Sequence, residues 1–341
     1  MVTLAAALSL SLLAAVELGW RIGGARASYI ESPARWAMLR ERIERSEHPR
    51  RTAILGASRI LFNLSLETFS QRHPEVPVAQ LAIAARGPLA TLEDFAYHSR
   101  FNGLVLLEFD PESLLPPRDG EQASYLAYYK TRWTIDQSWN LTLASFVEPW
   151  LVTRHAKYGV NQIVRNLLAR GRLPAAALYV TVRETRQHDA DYALANVEWI
   201  ERNRRAELAS RYRQLDSIIE SEWPRTLSRL VSAVAAVHAR GGCVLLVKMP
   251  AQGSPRQYHQ RAFGSATYWS HVLKAVGAYG LDLTAAIDTL GLPLADSMHL
   301  DHAYQRPFTD LLLDYLDALA VFDPARACHP GASGLPLAGQ Q

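Results

Sequence analysis

The stretch "DSMHLD", residues 296 to 301, sets an aspartate three residues ahead of a histidine. An aspartate that accepts an imidazole Nδ1–H selects the tautomer whose Nε2 can take a proton from a hydroxyl. With that spacing a single short turn carries both groups, so Asp296 and His299 form a candidate base and orienting acid. Such a pair needs a nucleophile, because a hydroxyl near its free pKa is a poor one. "ILGASR" at 54 to 59 offers Ser58, behind a glycine that permits a tight turn and ahead of a helical run that would expose its Oγ. A serine in this position can equally be no more than a helix start, and Asp296, His299, Asp301 and His302 can be read as metal ligands. No second acidic or histidine cluster sits at another strand end, and Ser58 pairs in order with a C-terminal DxxH, so acyl transfer is the favoured chemistry and no metal or cofactor is expected. Asp301 and His302 are expected to cap or solvate the last helix.

These residues need elements to bring them together. Short apolar runs at 51–58, 77–83, 103–109 and 243–250 alternate with helical patterns at 64–73, 89–100, 224–242, 268–280 and 304–322, and a weaker strand is read at 281–287. Near-continuous apolar strands separated by helices predict a parallel sheet covered on both faces, an α/β, doubly wound, flavodoxin-like architecture. In such a sheet functional groups gather outside the carboxyl ends of the strands. Ser58 follows the first strand, and the DxxH loop follows the last.

The 341 residues include 36 Lys and Arg against 33 Asp and Glu, a formal charge of +3, which argues against a nucleic-acid partner. Two cysteines give no disulfide framework and no metal-type spacing. Residues 112–222 read as a large helical insertion, with Tyr125, Tyr128, Tyr129, Trp133 and Trp139 as its small core or, less favoured, as a sugar-stacking platform. "VTLAAALSLSLLAAV", residues 2–16, carries no charge and makes a helix of roughly 22 Å, against a hydrocarbon core of roughly 30 Å. Residues 1–22 are read as a signal anchor, ahead of a cleaved signal peptide or a buried helix, because Glu17, Trp20 and Arg21 form an interfacial edge. The arginines that follow would by the positive-inside rule keep the body cytoplasmic, in conflict with an extracytoplasmic placement. Residues 23–50 are read as a basic linker or helix, 51–322 as the α/β domain, and 323–341 as a flexible tail.

"ILGASR" at 54–59, "QLAIAARGP" at 80–88, "LVLLEFDP" at 104–111 and "DSMHLD" at 296–301 resemble the blocks of the SGNH (GDSL-type) hydrolase superfamily. More narrowly they resemble its membrane-anchored bacterial branch related to alginate and other polysaccharide O-acetyltransferases. The resemblance covers roughly residues 50–110 and 225–320. It implies Ser58 as nucleophile, His299 as base, Asp296 as orienting acid, and the backbone N–H groups of Ser58 and Gly87 as oxyanion donors. Arg59 and Arg86, beside that site, are weaker candidates for contact with an anionic sugar. Two positions depart from the family pattern. Ala57 stands where an aspartate is usual, and no Gly-x-Asn-Asp block follows "LEFDP". The resemblance further implies acyl, chiefly acetyl, transfer or ester hydrolysis on an extracytoplasmic carbohydrate, on a single-pass protein of the bacterial inner membrane with a membrane-bound O-acyltransferase as partner. A non-catalytic, membrane-tethered scaffold subunit is the alternative.

Overall fold

The computed structural model describes residues 2–116, 122–171, 173, 177–263 and 266–323. The tail beyond Asp323 lies outside the described residues, so the flexible-tail expectation is not addressed. Five strands form the central sheet: β1 (Thr52–Leu55), β2 (Val78–Gln80), β3 (Leu104–Glu108), β6 (Cys243–Lys248) and β7 (Tyr279–Asp282). β4 (Val180–Val182) and β5 (His188–Ala190) make a separate antiparallel hairpin. The sheet order is β2-β1-β3-β6-β7 with every pair parallel, as the doubly wound reading requires. Chain direction across the sheet reverses between β1 and β3, and a crevice opens there at the carboxyl ends.

Alternate strand residues feed two cores. Ala53, Leu55, Val105, Leu107, Val244 and Leu246 face helices Pro33–Arg45, Leu89–His98 and Ala266–Val276. Ile54, Leu104, Leu106, Leu245 and Val247 face helices Ser58–Asn63, Leu66–Arg72, Ala286–Leu290 and Gln305–Ala318. Burial on both sides is why these strands lack polar alternation.

Several expectations are corrected. Of the two readings of 23–50, linker or helix, residues 33–45 take the second: they form a helix begun by Ser32, whose side chain accepts from the Arg35 N–H, and Trp36 inside it is fully buried with its Nε1 2.9 Å from the Leu81 carbonyl. The helix hides Arg35 and Arg40, which pair with Glu148 and Asp94. Tyr125, Tyr128, Tyr129 and Trp133 pack against the main core rather than forming a separate core of the insertion, and Trp139 is exposed. The helix expected at 224–242 is the last part of one longer helix, Val197–His238, that runs through Pro224 into the insertion. The last strand ends at Asp282, and Ile287 belongs to a helix.

The N-terminal helix Val2–Ile22 is long and apolar enough to cross a membrane, with none of its apolar window buried against the body.

Candidate active site

Ser58 is the first residue of a six-residue helix after β1, half-exposed at the switch point. Its N–H, as a helix opener, has no intrahelical acceptor. Ala57 precedes it without a capping side chain, and a carboxylate from β3 does the capping instead. Glu108, fully buried, accepts the Ala57 N–H at 2.7 Å and the Ile60 N–H at 3.4 Å through one oxygen, and Arg59 Nε at 3.0 Å through the other. Gly56 is required because a Cβ there would lie 2.6 Å from Glu108 Cβ and 2.5 Å from Ile60 Cγ2.

Arg59 serves the turn itself. Only 3 % exposed, it bridges Glu108 and Asp110, the latter at 2.8 Å, and so neutralises two carboxylates at the end of β3. Two buried acids side by side need a cation, and a guanidinium supplies forked donors. Arg86 is half-exposed, donates to Ser124 Oγ at 3.1 Å and lies 5.6 Å from the Tyr125 ring, so it ties the loop after β2 to the insertion. Gly87, in that loop, is buried. Glu31 and Arg186 flank the same loop. Arg186 donates to the Gln80 carbonyl at 2.6 Å and the Ala82 carbonyl at 3.0 Å while ion-paired to Glu31. Burial alone would push the Glu31 carboxyl up, but Arg186 and His188 hold it down to about 2.

The DxxH loop is a closed turn. Asp296 is buried; its Oδ1 accepts the N–H groups of Met298 at 3.1 Å and His299 at 2.9 Å. Its Oδ2 faces His299 Nδ1 at 2.9 Å, Tyr192 Oη at 2.8 Å and an Arg204 nitrogen at 2.8 Å. Burial opposes the charge, yet His299 and Arg204 hold the Asp296 carboxyl well below the usual carboxylate range. Burial and the Asp296 charge push the Tyr192 phenol up. With Nδ1–H donating to Asp296, His299 presents Nε2 as the acceptor, and that buried atom has no hydrogen-bond partner.

Two side chains of the Ser58 helix hold this loop. Asn63 accepts the Leu300 N–H at 2.8 Å and donates to the Met298 carbonyl at 3.3 Å. Phe62 stands with its ring 5.0 Å from that of His299. Residues four apart share a helix face, so Ser58 lies one turn along the same face that meets the imidazole. Ser58 and His299 are not hydrogen-bonded to each other; catalytic hydrogen bonds without substrate are commonly long.

Asp301 and His302 separate from this pair. Asp301 accepts the Tyr192 N–H at 2.8 Å and the Ala303 N–H at 3.0 Å, opening the turn before the last helix, and His302 Nδ1 lies 3.1 Å from the Ala190 carbonyl. Their side chains come together with Asp191 rather than with Asp296 and His299. Tyr192, Arg204, Asn63 and Glu108 were missed in sequence. Only Glu108, an acid at the end of an apolar strand, carried a local signal; the others act from more than 90 residues away or as an ordinary helix end.

No protein-family model matches the chain, and no curated protein sequence matches it. Among solved structures the chain is similar to the crystal structure of TesA, with a TM-score of 0.36 and 12% identity, over 79% of this chain and 99% of that one.

Proposed function

We propose that the chain is a membrane-anchored, SGNH-like serine acyltransferase or esterase acting on an extracytoplasmic carbohydrate. The observation that carries this reading is the buried Asp296–His299 pair, 2.9 Å apart, whose unpartnered Nε2 sits beside the helix that opens with Ser58. Ser58 Oγ attacks the acyl carbonyl while its proton passes to His299 Nε2. The tetrahedral oxyanion is held by the N–H groups of Ser58 and Gly87. His299 then returns the proton to the leaving oxygen as the carbonyl re-forms on Ser58. In the second half an acceptor hydroxyl, or water, loses its proton to His299, attacks the acyl-serine and releases Ser58 Oγ, which is reprotonated. Asp296 stabilises the imidazolium in both halves. A membrane-bound O-acyltransferase is the fitting donor of the acyl group, which would be acetyl.

The test uses the full chain in detergent with p-nitrophenyl acetate. A burst of nitrophenol that disappears in Ser58→Ala and in His299→Ala, with labelling of Ser58 by a serine-directed phosphonate, is expected. Absence of both burst and label would overturn the enzyme and leave the non-catalytic, membrane-tethered subunit.

A further inference from the structure

The helix Ile135–Val147 is inside out. Ser138, Leu141, Thr142 and Ser145 turn toward the body, whereas Ile135, Trp139, Leu143, Phe146 and Val147 turn to the outside. Trp139 is 64% exposed, Phe146 72%, and Trp150, just past the helix, 74%. A helix of a water-soluble body carries its apolar stripe on the opposite side, and a contiguous apolar stripe left outside marks a surface that something covers. The next helix, Val160–Arg170, repeats the pattern, with Asn166 buried and Val164, Leu167 and Leu168 exposed.

The N-terminal apolar helix leaves the body at this place. Glu17 accepts the Val152 N–H at 2.8 Å and the Thr153 N–H at 3.0 Å. Arg21 donates to the Trp150 carbonyl at 2.6 Å, and the Trp20 ring lies 4.9 Å from Tyr158. The far end of the inverted stripe is therefore bonded to the base of the anchor. Because Glu17 and Arg21 are fixed to the body, a bilayer entered by Val2–Ile22 begins where the stripe ends, and the body is held at the interface. An amphipathic face held there sinks about 5–10 Å into the headgroup and acyl boundary. Between residues 131 and 170 the exposed charges Arg132, Arg154 and Arg165 outweigh Asp136, which suits phospholipid headgroups.

We propose that the outward face of Ile135–Val147, continued by Trp150 and by Val164, Leu167 and Leu168, is a second membrane contact. It lies flat in the leaflet that Val2–Ile22 enters and fixes how the body stands on the bilayer. The proposal rests on that helix entering a bilayer, and does not depend on the acyl chemistry.

The full chain is reconstituted into phosphatidylcholine vesicles, with flotation recording whether the anchor inserts. Tryptophan emission is then compared between ordinary and acyl-brominated lipid for the wild type and for Trp139→Phe/Trp150→Phe. The difference between the two proteins isolates the two indoles, and brominated lipid is expected to remove most of it. In Leu143→Asp/Phe146→Asp, whose side chains are exposed, the thermal midpoint should hold while the emission shifts to the red and the quenching is lost. A chain that does not float overturns the anchor and this proposal with it. A chain that floats with Trp139 and Trp150 unquenched overturns the stripe alone, and if crosslinking then traps dimers through that face, a second copy is its occupant.

Discussion

Replacing Glu108 with glutamine keeps the side chain's shape and removes its charge, at the point where the turn before Ser58 is tied to the sheet. Three donors converge on this carboxylate: the Ala57 N–H at 2.7 Å, the Ile60 N–H at 3.4 Å and Arg59 Nε at 3.0 Å. Glutamine can accept through only one oxygen, so its amide group must face a donor, and Arg59 is left sharing Asp110 alone. Breaking a fully buried ion pair by removing one partner costs about 3–5 kcal/mol. The retained Asp110 contact at 2.8 Å argues for the lower end, about 3 kcal/mol. For a chain of this size each kcal/mol lowers the thermal midpoint by about 2 °C, so a fall of about 6 °C is expected. The assay is thermal unfolding of the full chain in detergent followed by circular dichroism, with ester turnover measured below the transition. Arg59→Met added to Glu108→Gln should cost less than the two changes summed, because the second then strands only Asp110 rather than both carboxylates. A midpoint for Glu108→Gln within about 1 °C of wild type would refute the reasoning, since it would mean that the carboxylate carries under about 0.5 kcal/mol.

Asp296→Asn should lower kcat by on the order of 10⁴-fold, as neutralising a triad aspartate does elsewhere, with KM little changed; a loss under about tenfold would remove Asp296 from the relay. Glu31 is held at about 2 in the fold against an ordinary 4.5, so its ion pair with Arg186 contributes stability that is complete above about 4.5 and lost as pH falls toward 2. Unfolding midpoints of Glu31→Gln should accordingly sit below wild type at neutral pH and converge with it in acid; parallel curves would contradict this assignment. Gly56→Ala forces a methyl to 2.6 Å from Glu108 Oε2 and 2.5 Å from Ile60 Cγ2, an overpacking of about 1–3 kcal/mol that should show in the thermal midpoint and in lower turnover. An unchanged midpoint and rate would mean the turn has slack that its contacts do not suggest.

The strands at 52–55, 104–108 and 243–248 were legible because burial on both faces leaves an unbroken apolar run. β7 was misplaced because "YGLD" is only half-buried and the apolar residues after it serve a helix. Residues 23–50 read as a basic linker or helix because arginines dominate their polar positions. Arg35 and Arg40 are neutralised by Glu148 and Asp94, partners 113 and 54 residues away that no local pattern reveals. The same limit applies to the site. The Asp296–His299 contact follows from a three-residue spacing and could be read directly, whereas Tyr192 and Arg204 reach Asp296 from 104 and 92 residues off. The carboxylates that hold Arg59, Glu108 and Asp110, were not legible from its position beside a serine.

The unbroken helix Val197–His238 runs about 63 Å at 1.5 Å per residue. Near one end Arg204 grips the acid of the pair, and toward the other Leu230, Val234 and Val237 are seated in the core. What looked like an appendage and what looked like the body thus share one rod, so excising residues 112–222 would cut through its middle. The severed protein would keep its sheet residues yet lose the cation that holds Asp296, which makes the outer helices a structural part of the candidate site rather than a separable appendage.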